Sequence, residues 1–313
     1  MRNILDIVPI LSFISLACAL SSPPSGAITV GTGGKYAQLS DAMADTSSNV
    51  YFVFSGTYTD TVKITRSNIK VFGQTSTNLS YTGNTVTITN NIPASVAGSD
   101  EASGTVQVTG SSVSLYNLNI ANTYGKPVDQ AQAIALATYG TQFGGYGLKI
   151  TGDQDTLLAN VGLQYFKNCW IEGAVDFIFG QQSSIWISTS IINTIGSGAI
   201  TASGRSSDDS NWYVIDHSTV QGTGTVFLGR PWRDYARVVF QNTALGSNVQ
   251  PAGWEEWSTA TPNTDHVTFA EYGNTGAGAS GTRASFATKL SAPIATATVI
   301  GSSYKSWIDA AWL

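Results

Sequence analysis

The sequence has little of what common functional sites are built from. Among 313 residues there are 2 cysteines and 2 histidines, and charged residues make up only 11% of the chain. So few cysteines and histidines argue against a disulfide framework or a metal site, and we expect neither a metal nor a cofactor. The net charge of −5 and the lack of a lysine or arginine cluster argue against nucleic acid as a partner, because phosphate binding needs a basic surface.

Long apolar runs are missing beyond the N-terminus, so we expect no membrane span. The first residues differ, because Arg2 precedes a mostly apolar stretch at 10–20 and Ala17-Cys18-Ala19 fits the small-x-small cleavage rule. We predict a signal peptide at 1–19, a catalytic domain at 20–313, and secretion to the extracellular space. Cleavage would leave Cys169 alone, and its strand-like surroundings predict a buried structural thiol. Asn78 lies in an Asn-x-Ser sequon and is a candidate for glycosylation.

What the sequence does contain is typical of strands and turns. It has 32 glycines and 11% aromatic residues, and short alternating runs such as 51–54 and 113–120 are separated by turn residues. Only two short helices are expected, at 39–44 and 302–312. Related phrases recur at intervals of roughly 20 to 25 residues, which is the signature of a repeat architecture. This favours a single-domain, all-β, right-handed parallel β-helix over an antiparallel sandwich.

The most informative pattern is a spacing between polar residues. Gln132 is separated from Gln154 by nearly the same interval of sequence as Asp155 from Asp176, and this interval matches the length of one repeat. In a parallel solenoid, one coil of sequence becomes one strand spacing in space, about 4.8 Å. The two amides and two carboxylates would then lie on one face, within reach of a single substrate carbonyl.

Two neighbouring carboxylates are compatible with three chemistries. They could hydrolyse a glycoside, share a proton to activate water, or divide an acyl transfer between a nucleophile and an acid/base. The glutamines favour acyl transfer, because neutral amide donors stabilise an oxyanion without neutralising the nucleophile. No Gly-x-Ser-x-Gly segment is present, so a serine-esterase mechanism is unsupported.

Four blocks in this order resemble the signature segments of the pectin methylesterase (pectinesterase) family, in its microbial secreted form without a long N-terminal pro-region. They are Gln132-Ala133-Ile134-Ala135-Leu136, Gly152-Asp153-Gln154-Asp155-Thr156-Leu157, Gly173-Ala174-Val175-Asp176-Phe177-Ile178-Phe179-Gly180 and Leu228-Gly229-Arg230-Pro231-Trp232. The resemblance extends from about Ile28 to the C-terminus. It implies a right-handed parallel β-helix that hydrolyses methyl esters of pectin.

The resemblance also implies a role for each site residue. Asp176 would be the nucleophile and Asp155 the acid/base, with Gln132 and Gln154 forming the oxyanion hole. Arg230 would pair with Asp176 and keep it ionised by lowering its pKa, whereas Asp155 needs a raised pKa to carry a proton. Trp232 and Trp254 would contact the sugar. The expected partner is methyl-esterified pectin, bound by a monomer.

Other functions stay open at this point. A polygalacturonase or a pectate lyase would share the fold, but the further acids, calcium ligands or Gly-His-Gly segment that they would need are not found. An inactive pectin-binding protein is a third alternative. The segments at 203–205 and 208–210 are interpreted as a solvated loop. The pH optimum, the preferred methylation pattern and the processivity are not fixed by the sequence.

Overall fold

The computed structural model describes residues 20–313, so the predicted signal peptide at 1–19 lies outside the described residues. The short alternating runs form strands that pair in parallel with the equivalent run one coil away. Three sheets result. The first sheet contains, in spatial order and numbered along the chain, β1 (Ile28–Val30), β2 (Val50–Val53), β5 (Lys70–Gly73), β8 (Ser114–Tyr116), β11 (Phe143–Tyr146), β14 (Val161–Lys167), β17 (Gln182–Ser188), β20 (Tyr213–Asp216), β23 (Arg237–Gln241), β25 (Thr268–Tyr272) and β26 (Ala287–Lys289).

The other two sheets follow the same order of coils. The second contains β3 (Gly56–Thr59), β6 (Val86–Asn90), β9 (Asn119–Asn122), β12 (Lys149–Thr151), β15 (Trp170–Gly173), β18 (Ile191–Ile195), β21 (Thr219–Thr223) and β24 (Ala244–Leu245). The third contains β4 (Val62–Ile64), β7 (Val106–Val108), β10 (Leu136–Thr138), β13 (Leu157–Ala159), β16 (Ile178–Gly180), β19 (Gly198–Ser203) and β22 (Val226–Pro231). Each complete coil contributes one strand to every sheet, which confirms the predicted parallel β-helix.

The core is a set of apolar ladders inside the solenoid. In the second sheet, Ile120, Ile150, Ile171, Ile192 and Val220 lie in register on successive coils, and each is at most 1% exposed. Branched side chains stack well at the strand spacing, so each coil covers the apolar face of the next.

A column of hydrogen bonds runs beside this core. The Cys169 N–H donates to the Ser190 hydroxyl, and the Ser190 N–H donates to the Ser218 hydroxyl. Cys169 is itself fully buried, so the prediction of a buried thiol is confirmed.

Sharp corners join the first sheet to the second. At this position Asn117, Gly147, Asn168, Thr189, His217, Asn242 and Gly273 follow the strand ends of successive coils, and all have φ between 44° and 61°. Asparagine and glycine tolerate this left-handed conformation best, and they occupy five of these seven positions.

Helices are short and peripheral. They are α1 (Leu39–Ala42), α2 (Ala94–Ala97), α3 (Asp100–Ser103) and α4 (Thr296–Ile300), with 3₁₀ turns at Tyr81–Gly83, Ala277–Ala279, Tyr304–Ser306 and Ala310–Trp312. The first expected helix corresponds to α1. The second expected helix, at 302–312, was wrong, because that segment crosses the outer face of the first sheet and buries Ile308 and Trp312 there. No helix among residues 20–313 is long and apolar enough to cross a membrane.

Candidate active site

A cleft lies against the outer face of the third sheet. Its volume is about 210 Å³, and its lining is polar and acidic on one side and aromatic on the other. The lining residues are Asp100, Gln130, Gln132, Gln154, Asp155, Asp176, Phe179, Ala202, Arg230, Trp232 and Trp257. All but one of the predicted site residues therefore meet in one place.

The two acids meet because they occupy the same position on neighbouring coils. Leu157 pairs with Ile178, and each aspartate stands two residues before one of these partners. Both aspartates have positive φ, 66° for Asp155 and 51° for Asp176. This conformation turns the chain from the second sheet into the third and points each carboxylate outward at the sheet edge. The spacing of the two acids in sequence therefore has the spatial meaning that the repeat suggested.

Asp176 is held by a two-point ion pair. Arg230 Nε donates to Asp176 Oδ1 at 2.8 Å and Nη2 donates to Oδ2 at 2.7 Å. The aspartate is 6% exposed, so this fork is shielded from water and fixes the carboxylate plane. The guanidinium also lies 4.5 Å from the ring centroid of Trp257, which holds it from the other side. Asp155 has no such partner among the described residues.

Burial and charge give the two acids different pKa values. Burial, with a further contribution from the negative charge of Asp176, raises the pKa of Asp155 well above its usual 3.8. Burial also raises the pKa of Asp176, but two hydrogen bonds and the charge of Arg230 oppose that rise. The predicted lowering of the Asp176 pKa by Arg230 is confirmed as a contribution, although desolvation exceeds it and the net pKa is raised. Arg230 therefore favours the ionised form of Asp176 directly, whereas Asp155 forms no ion pair among the described residues.

The two glutamines are oriented differently. Gln154 Oε1 accepts the Ala131 N–H at 3.2 Å, and Gln154 Nε2 has no acceptor among the described residues at this position in the cleft lining. Gln132 Nε2 donates to Gln130 Oε1 at 2.8 Å, in a more exposed position. Gln154 is a preorganised donor, whereas Gln132 shares its amide hydrogens with a neighbour.

One predicted contact residue lies elsewhere. Trp254 is 1% exposed and stacks on Phe269 inside the solenoid, with ring centroids 4.5 Å apart. It pairs with Gly229 on β22, which has no side chain to hold the ring out of the core. The assignment of Trp254 to substrate contact was wrong. Trp257, three residues on, lies in the cleft instead.

Trp232 is in the cleft as predicted, and its position is fixed by packing. Its ring lies 6.2 Å from that of Phe179, and a β-carbon added at Gly204 would come within 2.5 Å of it. The neighbouring Arg205 is only 3% exposed and bonds to Asp209 and to the Tyr235 carbonyl. The interpretation of 203–205 as a solvated loop was therefore wrong, because Arg205 anchors the chain that carries Trp232.

Sequence reasoning did not assign five of the lining residues to the site: Asp100, Gln130, Phe179, Ala202 and Trp257. Phe179 lay within a quoted block, and its place could have been read from strand alternation, because Leu158, Phe179 and Ala202 form one outward ladder. Asp100 begins the four-residue helix α3 and Gln130 lies between β9 and β10, and neither segment is long enough for periodicity to predict the direction of a side chain. Among the described residues no cluster of acids, histidines and cysteines could hold a metal ion.

This geometry can be compared with known proteins. The pectinesterase family model matches residues 28–295. A pectinesterase from Aspergillus aculeatus is 45% identical, covering 95% of this chain and 96% of its own length, and one from Aspergillus niger is 42% identical with 96% of each covered. The crystal structure of the Aspergillus niger pectin methylesterase superposes with a TM-score of 0.88 at 38% identity, over 94% of this chain and all of the other.

The chain belongs to the pectinesterase family. A carrot pectin methylesterase of 26% identity shares the fold, with a TM-score of 0.82 over 91% of this chain and 97% of its own. This pectinesterase is a carboxylic ester hydrolase that de-esterifies pectin, as the sequence resemblance implied. The family assignment separates it from the chain-cleaving enzymes considered above.

Proposed function

We propose that this pectinesterase works through the acid pair, with Asp176 as the nucleophile and Asp155 as the acid/base. The observation that carries the proposal is the asymmetry of the pair: Arg230 grips both oxygens of Asp176, and the Asp155 side chain has no bonding partner among residues 20–313. A carboxylate that is ionised and oriented can attack, and a neighbouring acid with a raised pKa can donate a proton.

The reaction proceeds in two halves. An oxygen of Asp176 attacks the ester carbonyl carbon, and the negative charge on the carbonyl oxygen is stabilised by the Gln154 amide, assisted by Gln132. The bond to the methoxy oxygen breaks as Asp155 gives that oxygen its proton, so methanol leaves and a mixed anhydride remains on Asp176. Asp155, now ionised, takes a proton from water, whose oxygen attacks the sugar carbonyl. The anhydride bond to the Asp176 oxygen then breaks, which releases Asp176 as a carboxylate and the sugar as a carboxylic acid that loses its proton to solvent.

The aromatic side of the cleft would hold the sugar. Trp232, Trp257 and Phe179 present apolar rings beside the reacting groups. Such rings pack against the apolar faces of sugars, so the proposed ligand is methyl-esterified pectin. Arg230 would orient the nucleophile through its ion pair with Asp176. It would also position Trp257 on the aromatic side of the cleft, because the guanidinium stacks on that ring.

We further propose that the protein is secreted as a monomer after removal of residues 1–19. Secretion is supported by the positive charge of Arg2 ahead of a mostly apolar stretch and by the small-x-small cleavage site in this segment. Mass spectrometry of the protein recovered from the medium tests it: a mature chain that begins near Leu20 is expected, and an intact Met1 terminus contradicts it. Light scattering tests the second part, with one chain mass expected.

The proposed activity is tested by two assays on the same pectin sample. Methanol release and new reducing ends are measured together. Ester hydrolysis yields methanol with no new ends, whereas a hydrolase or lyase acting on the backbone yields ends. Absence of methanol from a folded protein would contradict the proposal.

A further inference from the structure

One end of the cleft carries a carboxylate that the hydrolytic chemistry does not use. Asp100 begins α3, immediately before β7, and lines the same cleft as Asp155 and Asp176. Arg230 and Trp232 come from β22 and the loop after it. In the third sheet β7 and β22 are separated by four strands, so the cleft has an acidic end and a cationic, aromatic end.

Asp100 is partly buried and has no counter-charge in contact. Its side chain makes neither a hydrogen bond nor an ion pair with any residue of 20–313 in the structure. Burial raises the pKa of Asp100, and its charge adds to the rise at Asp155. Lys126 lies near enough to act on the catalytic acids, but it is exposed and does not line the cleft.

The fold gives Asp100 no structural task that needs a charge. The side chain that caps α3 is that of Ser99, whose hydroxyl accepts the Ala102 N–H at 3.1 Å. The neighbouring Glu101 also carries a negative charge in this helix but is not part of the cleft lining. Position within the cleft therefore distinguishes Asp100 from Glu101.

We propose that Asp100 is a specificity-determining residue that rejects substrates with a free carboxylate on the sugar at its end of the cleft. This rests on the proposed function, since the reacting ester must lie between Asp155 and Asp176. A neighbouring methyl ester is neutral and fits beside Asp100. A neighbouring carboxylate meets a like charge in a partly desolvated site, which weakens its binding.

A consequence follows for the product. Each turnover converts a neutral ester into a carboxylate. An ester becomes a poorer substrate when the de-esterified sugar next to it would have to bind beside Asp100. The enzyme would then leave scattered carboxylates and would not advance along a continuous block. Selection of this kind acts through substrate affinity, so it should change KM more than kcat.

The test uses two hexagalacturonates, one methylated on every sugar and one methylated on a single inner sugar. The ratio of their kcat/KM values is measured for the wild type, Asp100→Asn and Asp100→Ser, with Glu101→Gln as the matched control. We expect both Asp100 variants to raise kcat/KM on the singly methylated substrate at least about fivefold. On the fully methylated substrate the Asp100 variants should change kcat/KM by less, because no neighbouring carboxylate is present there, and all values for Glu101→Gln should stay close to wild type.

A binding measurement gives a second readout that does not depend on turnover. Titration calorimetry with unmethylated hexagalacturonate should show tighter binding to Asp100→Asn than to wild type. An unchanged ratio together with unchanged product affinity, or an equal loss on both substrates, would overturn the role of Asp100. Absence of methanol from the fully methylated substrate would instead contradict the proposed function.

Discussion

Left-handed corners occur both between the first and second sheets and between the second and third sheets of this solenoid, and only the second of these sets contributes acids to the cleft. Between the first and second sheets, corner residues such as Asn117 and Asn168 use their amides to hold the loop beneath them, donating to the carbonyls of Ser80 and Leu79 at 2.9 Å. Between the second and third sheets, Asp155 and Asp176 occupy corners of the same backbone type. Here the side chains face a cleft.

The difference between the corners lies in what surrounds the side chain. The amide corners satisfy their hydrogen bonds within the protein, so they stabilise the fold. The acid corners are buried with only one cation, Arg230, in direct contact among the described residues, and this leaves Asp176 paired and Asp155 without an ion-pair partner. We therefore interpret the acid corners as functional, because their side chains face the cleft and hold no neighbouring loop in place.

The largest expected effect separates the two kinds of corner directly. Asp176→Asn should lower kcat by about 10³-fold or more, because the amide cannot attack, and pectin binding should be largely kept. Asn168→Asp, one corner away in the same coil, should retain kcat. Methanol release under saturating substrate checks both. Wild-type-like turnover by Asp176→Asn would remove the functional distinction between the corners.

A second expected effect concerns the amides beside the acids. Gln154→Leu should lower kcat by about 10²-fold to 10³-fold, because a fixed oxyanion donor is lost. Gln132→Leu should cost less, because Gln132 already donates to Gln130. Steady-state kinetics of the two variants show which substitution lowers kcat more. A larger loss for Gln132→Leu would contradict the assigned orientation of these amides.

The two tryptophans extend the contrast between cleft and interior. Trp254→Ala should destabilise the fold by about 3 to 5 kcal/mol, because it empties a buried ring site. Trp257→Ala should leave stability nearly unchanged and raise KM by about tenfold, the value of one lost aromatic contact. Denaturant unfolding and kinetics of both variants are the measurements. Equal destabilisation by the two substitutions would show that Trp257 is also a core residue.

The smallest expected effect is on stability as a function of pH. Because the pKa of Asp155 is raised in the folded state, the folded protein keeps a proton that the unfolded chain loses above about its usual 3.8. Wild-type stability therefore falls as pH rises through this window. Asp155→Asn cannot ionise at this position, so the variant does not lose stability in this way. The difference in melting temperature, variant minus wild type, should therefore be larger at pH 7 than at pH 3. A difference independent of pH would contradict the raised pKa.

Much of this architecture could be predicted from the sequence. Similar segments recur at a nearly constant interval, because side chains of successive coils stack on one another. This recurrence was enough to predict that Asp155 and Asp176 lie on neighbouring coils. The same spacing placed Gln154 beside the acids, whereas Arg230 was assigned only through the family resemblance. These residues lie on or next to regular strands, where register fixes direction.

The remaining features of the site depend on tertiary contacts, which the repeat length of the sequence does not predict. Trp254 and Trp257 are three residues apart in a segment outside the three sheets, and only the packing of Phe240 and Phe269 decides which ring enters the core. Asp100 reaches the cleft from the short helix α3, which lies in the connection between β6 and β7. The net pKa of Asp176 required the balance between burial and Arg230, which only coordinates supply.

The most direct test of the account is to identify the residue that becomes acylated. Wild-type enzyme mixed with fully methylated hexagalacturonate is quenched in acid within the first turnover, digested with pepsin and analysed by mass spectrometry. We predict an adduct with the mass of the substrate less methanol on Asp176. An adduct on Asp155, or a stoichiometric burst of methanol with Asp176 unmodified, would contradict the assignment.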